Sequence, residues 1–292
     1  MEMGIVQIWN DYITIGVNTH GAELVSLKAN DTGREYMWSG DAKYWGRVSP
    51  VLFPFVGKLE KQRYLYKGIT YEKIPQHGFA RDSEFALVEQ TGDTLWFELI
   101  KDEKWSSGYP FEFTLRLGYR LEGKSVHVMW TVINTGGDTL HFSIGAHPAF
   151  ACHGGLEGYS LDMHTNLSEL KCGVLTDAGV LGDRIAVQKP EQGVLKLTDE
   201  LFDDDALILD GKGLHTVTIR DREDRPFLQV RFDTPQLGIW SPAKAHAPFV
   251  CIEPWYGRCD REGFAGTLEE REYSNSLESG HSFSREYVID IL

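Results

Sequence analysis

The chain has 292 residues, 42% of them hydrophobic and 25% charged, and its 29 basic against 43 acidic side chains leave a formal net charge of −14. That composition is globular and long enough to bury a large core without disulfide or metal staples, which excludes disorder, collagen and a disulfide mini-scaffold. No stretch approaches the roughly 20 apolar residues of a membrane helix, and the acidity argues against a nucleic-acid partner, whose phosphates it would repel. Glu2 stands where an export signal carries positive charge, and no long apolar run follows, so a cytoplasmic protein is expected.

Hydrophobicity alternates with a period of two along most of the chain. Strands are expected at 5–9, 12–17, 23–28, 85–90 and 94–100. The longest pattern follows: Phe111, Phe113, Leu115, Leu117, Tyr119 and Leu121 alternate with Glu112, Thr114, Arg116, Gly118, Arg120 and Glu122. Gly123 supplies a tight turn, and a second strand over 125–134 carries Val126, Val128, Trp130 and Val132 on one face, which predicts a hairpin. Further strands are expected at 140–144, 206–209, 216–220, 227–232 and 249–253. Helical patterns are confined to short turns at 42–44 and 267–271. With no repeat, no low-complexity linker and no alternating helices, the expectation is one all-β domain over residues 1–292, a large antiparallel β-sandwich.

Common nucleotide and hydrolase motifs are missing: there is no G-x-x-x-x-G-K-[ST], no G-x-G-x-x-G, no H-E-x-x-H and no G-x-S-x-G. Cys152, Cys172, Cys251 and Cys259 include no C-x-x-C pair and read as free thiols. His141, His147 and His153 are evenly spaced, but Pro148 and Gly154-Gly155 interrupt any strand that would align them, so no metal site is assigned. His77 and His147 sit beside Gly78 and Pro148, residues that end or bend strands. Glu253 closes an apolar run just before Pro254; a carboxylate there is buried and functional or an edge residue, and Trp255 and Tyr256 beside it either stack on a sugar ring or fill the core.

Five segments occur in order: SPVLFPFVGKL (49–59), QHGFAR (76–81), GAHPAF (145–150), DDALIL (204–209) and IEPWYG (252–257). In these the chain resembles the aldose 1-epimerase, or galactose mutarotase, family, most closely its LacX-like branch, over nearly its whole length. The resemblance implies a galactose mutarotase-like supersandwich acting on a small-molecule sugar without a cofactor. It implies Glu253 as general base, His147 as general acid and His77 as the contact near the ring oxygen. Asp205 would bind sugar hydroxyls, with Asp204 as the adjacent alternative, and Arg81 would line the same pocket. Relatives carry Gly-Arg where this chain has Gly57-Lys58, so either Lys58 or the nearby Arg63 would replace that arginine. The implied reaction opens and recloses the ring of a free aldohexose. Two alternatives stand beside it, epimerisation of a hexose 6-phosphate and sugar binding without turnover. Oligomeric state is left open.

Overall fold

A computed structural model describes residues 4–100 and 103–292. Two large antiparallel sheets carry the architecture. In the nine-stranded sheet, neighbours run Val194–Lys196, Ser160–Asp162, Thr216–Arg220, Pro226–Arg231, Ser282–Ile291, Ser125–Asn134, Phe113–Glu122, Thr94–Leu99, Phe85–Gln90. In the second sheet the order is Leu181–Gln188, Leu170–Leu175, Leu207–Asp210, Gln236–Trp240, Phe249–Tyr256, Ile144–Ala146, Val51–Leu52, with Ala149–Ala151 also paired to Phe249–Tyr256. A three-stranded meander of Ile5–Trp9, Ile13–Asn18 and Glu23–Ala29 and two small ribbons complete the β structure.

The expected hairpin forms with Glu122 opposite Ser125, and Gly123 adopts φ +57°, a value that costs a residue without Cβ little. Burial along Ser125–Asn134 alternates at every residue, as the sequence pattern requires. Val126, Val128, Trp130 and Val132 share one core cluster with Leu237, Ile239, Val250 and Ile252 of the second sheet. The edge of Trp130 meets Tyr256 across the interface, with ring centroids 6.3 Å apart. The two sheets thus bury one face each against the other.

Several expectations are corrected. The run expected at 140–144 is broken at Ser143, whose N–H donates to Pro54 O. Leu140–Phe142 pairs with Asn275–Leu277, whereas Ile144–Ala146 joins the second sheet, so the chain changes partners there. Strand Phe249–Tyr256 does not end at Glu253: it runs through Pro254, which pairs in register with Leu237. On the other side of this strand the Ile144–Ala146 ladder stops at Gly145–Trp255, and a proline is tolerated beside such a break. The expected turn at 267–271 is a 3-10 turn, Leu268–Glu270, closed by a Thr267–Glu270 capping box. No helix among the described residues is long and apolar enough to cross a membrane.

Candidate active site

Strand Phe249–Tyr256 divides its side chains by parity. Val250, Ile252 and Tyr256 join the large core. Glu253 and Trp255 take the other face, where they line a cavity of about 380 Å³ on the outer side of the second sheet. That size lies at the small end of ligand pockets. Tyr256, considered beside Trp255 as a sugar platform, instead donates its hydroxyl to Asp233 O and packs on Trp130 and Phe283.

The opposite wall of this strand explains how His147 reaches Glu253. Gly145 lies opposite Trp255 and Ala149 opposite Cys251, so the antiparallel count is unchanged on both sides of the His147-Pro148 break. His147 therefore occupies the position facing Glu253, where cross-strand side chains on one face meet. Its Nε2 lies 3.3 Å from Glu253 Oε2. The imidazole is stacked on Trp45 at 4.7 Å, met edge-on by Trp240 at 5.3 Å and by His77 at 5.8 Å.

Both members of the pair are starved of water. Glu253 is 1% exposed, and burial, then the charge of Asp205, pushes its carboxyl well above the usual range. Burial, then the Arg81 guanidinium, pushes His147 down to about 3. Both shifts favour uncharged groups, so the substrate-free pair holds one proton, on Glu253.

His77 sits in a turn with φ +65°, followed by Gly78 at φ +69°. A Cβ at Gly78 would come within 2.2 Å of Phe53 O, so the turn packs directly against the Phe53-Pro54 backbone, where the peptide bond is cis. Gly57 N–H donates to His77 Nδ1 at 3.1 Å, while His77 N–H donates to Gly57 O. A neutral His77 then carries its proton on Nε2; the Gln76 side-chain amide lies 3.2 Å away and accepts that proton when it is turned to present its oxygen in place of its nitrogen. Burial, then Arg81 and His147, hold its pKa well below the usual histidine value.

Lys58, Arg81 and Asp205 also line the cavity. Asp205 has φ +71° and its carboxylate accepts from Ala206 N–H, whereas Asp204 turns to Arg184, 2.5 Å away. Lys58 Nζ donates to Ala178 O at 3.2 Å. Arg63 is exposed on the Arg63–Tyr66 ribbon and does not line the cavity, which removes it as the replacement arginine. Arg47 does line it, held by Asp82 at 2.7 Å, and burial with Arg47 nearby lowers Arg81 to about 10.

Trp45, Arg47, Gln76 and Trp240 were not anticipated from sequence. The three histidines 141, 147 and 153 do not converge: His141 meets Ser276 and packs on Tyr66, and His153 is exposed. All four cysteines are buried and unpaired.

Trp255 lies across the sheet because its flanking strands carry glycine. A Cβ at Gly145 would approach its indole to 2.6 Å, and one at Gly238 to 2.4 Å. The two glycines leave the room in which the ring lies flat, forming one wall beside Glu253.

Sandwich and site together define a galactose mutarotase-like fold. The chain belongs to the aldose 1-epimerase family, whose profile matches residues 5–269. It is 32% identical to the chromosomal LacX protein of Lactococcus lactis subsp. lactis, over 98% of this chain and 99% of that protein. A galactose mutarotase-related enzyme from Lactobacillus acidophilus superposes with a TM-score of 0.91 at 34% identity, covering 99% of this chain and 97% of that one. A galactose mutarotase-like protein from Lactobacillus casei gives the same TM-score at 29% identity, covering 99% and 100%.

Proposed function

We propose that this protein is an aldose 1-epimerase that interconverts the α and β anomers of a free aldohexose. The observation that supports this most is the 3.3 Å approach of His147 Nε2 to Glu253 Oε2 within one cavity. Ring opening takes a proton from the anomeric hydroxyl and gives one to the ring oxygen. These two oxygens share one carbon, so two groups standing side by side suit them.

Sugar hydroxyls donating to Glu253 favour its carboxylate, and the single proton of the pair passes to His147. Glu253 then removes the hydroxyl proton while His147 protonates the ring oxygen. His77, neutral with Nε2–H, donates to the ring oxygen and steadies it. Rotation about the bond from C1 to C2 and reversal of both transfers close the ring on the other face. The pair ends with the proton count it began with, so the scheme calls on no metal or organic cofactor. Trp255 offers an apolar wall to the sugar's C–H face, and Asp205 and Lys58 are placed to bind hydroxyls.

A second reading, an anionic sugar such as a hexose 6-phosphate, is favoured by one observation: Arg47, Lys58 and Arg81 all line the cavity. Planar guanidinium groups suit phosphate. Polarimetry on freshly dissolved α-glucose and α-galactose, set against their 6-phosphates, tests both. Faster mutarotation of the free sugars supports the first reading. A preference for phosphates that weakens with salt and collapses in Arg81→Ala supports the second. Sugar binding with no acceleration of either would leave a non-catalytic binder.

A further inference from the structure

The proton transfers proposed above leave one buried group unused. Cys251 precedes Glu253 by two residues, and its Sγ falls within 4.8 Å of ligand atoms on His147 and Glu253, the latter two being likewise within that distance of each other. Among the described residues this is the one cluster of three or more His, Cys, Asp or Glu groups positioned to hold a metal ion. We infer that Cys251, His147 and Glu253 form a site for a thiophilic divalent cation, such as zinc or cadmium, whose binding blocks the acid–base pair.

The geometry is close to what such an ion needs. Two N or O ligands at about 2.0–2.1 Å from a tetrahedral zinc stand about 3.3–3.4 Å apart. His147 Nε2 and Glu253 Oε2 are 3.3 Å apart. With a Zn–S bond of about 2.3 Å, the sulfur belongs about 3.5–3.6 Å from the other two ligands, so an inward shift of about 1 Å completes the set.

Glu253 Oε2 is buried with no hydrogen-bond partner, so an ion that displaces the carboxyl proton meets an oxygen with no competing donor. One thiolate, one carboxylate and one neutral imidazole cancel the charge of a divalent ion, so the occupied site buries no net charge. Cys251 is buried in a cluster with Trp38, Ala149 and Phe249, whereas His147 and Glu253 line the cavity, so an ion approaches from the cavity past these two and its fourth ligand comes from that side. The ion and the anomeric oxygens of a sugar then compete for the same space.

Binding of the ion does not rest on the epimerase reading; inhibition does. The test is to titrate the intact, sugar-free protein with cadmium and follow thiolate-to-metal absorption, then to measure zinc inhibition of mutarotation. The expected result is a one-to-one absorption change that is lost in Cys251→Ala and kept in Cys259→Ala, the cysteine that lines the cavity itself. Zinc inhibits the wild type, a chelator restores it, and Cys251→Ala retains mutarotation while needing at least about 100-fold more zinc. Magnesium, a hard cation, has no effect at the same concentration.

Should Cys251→Ala fail to fold, Glu253→Gln serves instead, since it keeps the thiol and weakens cadmium binding. A missing cadmium signal, one that survives Cys251→Ala, or one that follows Cys259 overturns the site. A one-to-one signal lost with Cys251, in a protein that accelerates no mutarotation, upholds the site and refutes the epimerase reading.

Discussion

Replacing Glu253 with Gln separates a catalytic carboxyl from a structural one, because the two roles move activity and stability in opposite ways. In the unfolded chain the carboxyl releases its proton near 4.5, whereas burial holds the folded group protonated well above that. Between the two values the native state binds the extra proton. The favourable contribution of the folded carboxyl is therefore complete below pH 4.5 and is lost as pH rises, at about 1.4 kcal/mol per pH unit. At pH 7.5 a carboxyl still protonated in the fold has cost up to about 4 kcal/mol relative to an uncharged isostere. Glutamine is that isostere. Glu253→Gln is expected to lower kcat by about 10²–10⁴-fold, the usual worth of a positioned acid or base. It is also expected to be more stable than the wild type at pH 7.5, by no more than about 4 kcal/mol, and to melt at a higher temperature. The stability difference shrinks to nothing as pH falls toward 4.5. Polarimetry per folded molecule and thermal melts across pH 4.5–8 read both effects. Near-normal turnover in the folded variant, or a destabilisation that does not vary with pH, would refute the reasoning.

His147→Asn is expected to lose mutarotation, and wild-type activity to fall as pH rises through the pKa of His147 in the sugar complex; unchanged turnover in a folded variant would remove it as the acid. Since its folded pKa is about 3 against 6.5 unfolded, stability from His147 is present above pH 6.5 and lost on acidification toward 3, so the variant's melting temperature falls less steeply with acid. His77→Asn is expected to cost less activity than His147→Asn, because its fixed tautomer orients the ring oxygen without exchanging a proton; an equal or larger loss would contradict that division. Gly238→Ala places a methyl carbon 2.4 Å from the Trp255 ring and must tilt the indole, so a rise in KM and altered tryptophan fluorescence are expected, and unchanged values would show that the wall is not used. Dialysis against a chelator is expected to leave mutarotation undiminished; a loss restored by one divalent ion would make the metal a participant.

Strands were legible wherever one face is buried and the run is long. The period-two pattern of Ser125–Asn134 matches residue by residue, and so do the bounds of Thr216–Arg220. Segments such as Val51–Leu52 and Ala149–Ala151, buried throughout and only two or three residues long, have no period to read. Pro254 suggested a strand end because its neighbouring break is a property of pairing, visible only once the partner strand is known. Counting by two from Glu253 would have sent Tyr256 to the core, and the aromatic cluster obscured that. His77, His147 and Glu253 stood out by their local setting, but their roles, and Asp205 altogether, came from motif order. Trp45 and Arg47 escaped because they come from one irregular loop outside the five segments, and Trp240 because it ends a distant strand, so nothing in the sequence links that loop to that strand.

The uninterrupted count between Gly145–Trp255 and Ala149–Cys251 ties the chemistry to the folding of one strand pair. A slip of Phe249–Tyr256 by a single residue would turn Glu253 inward between the sheets and present Ile252 or Pro254 to His147. Such a chain could keep most of its hydrogen bonds and still have no base in the cavity. A slip by two would restore the face but set His147 against Cys251 or Trp255. Mutarotation, on this reading, is a sensor of strand alignment with an all-or-none response: titrating active sites after refolding would count correctly registered molecules, separating them from compact ones that circular dichroism scores as native.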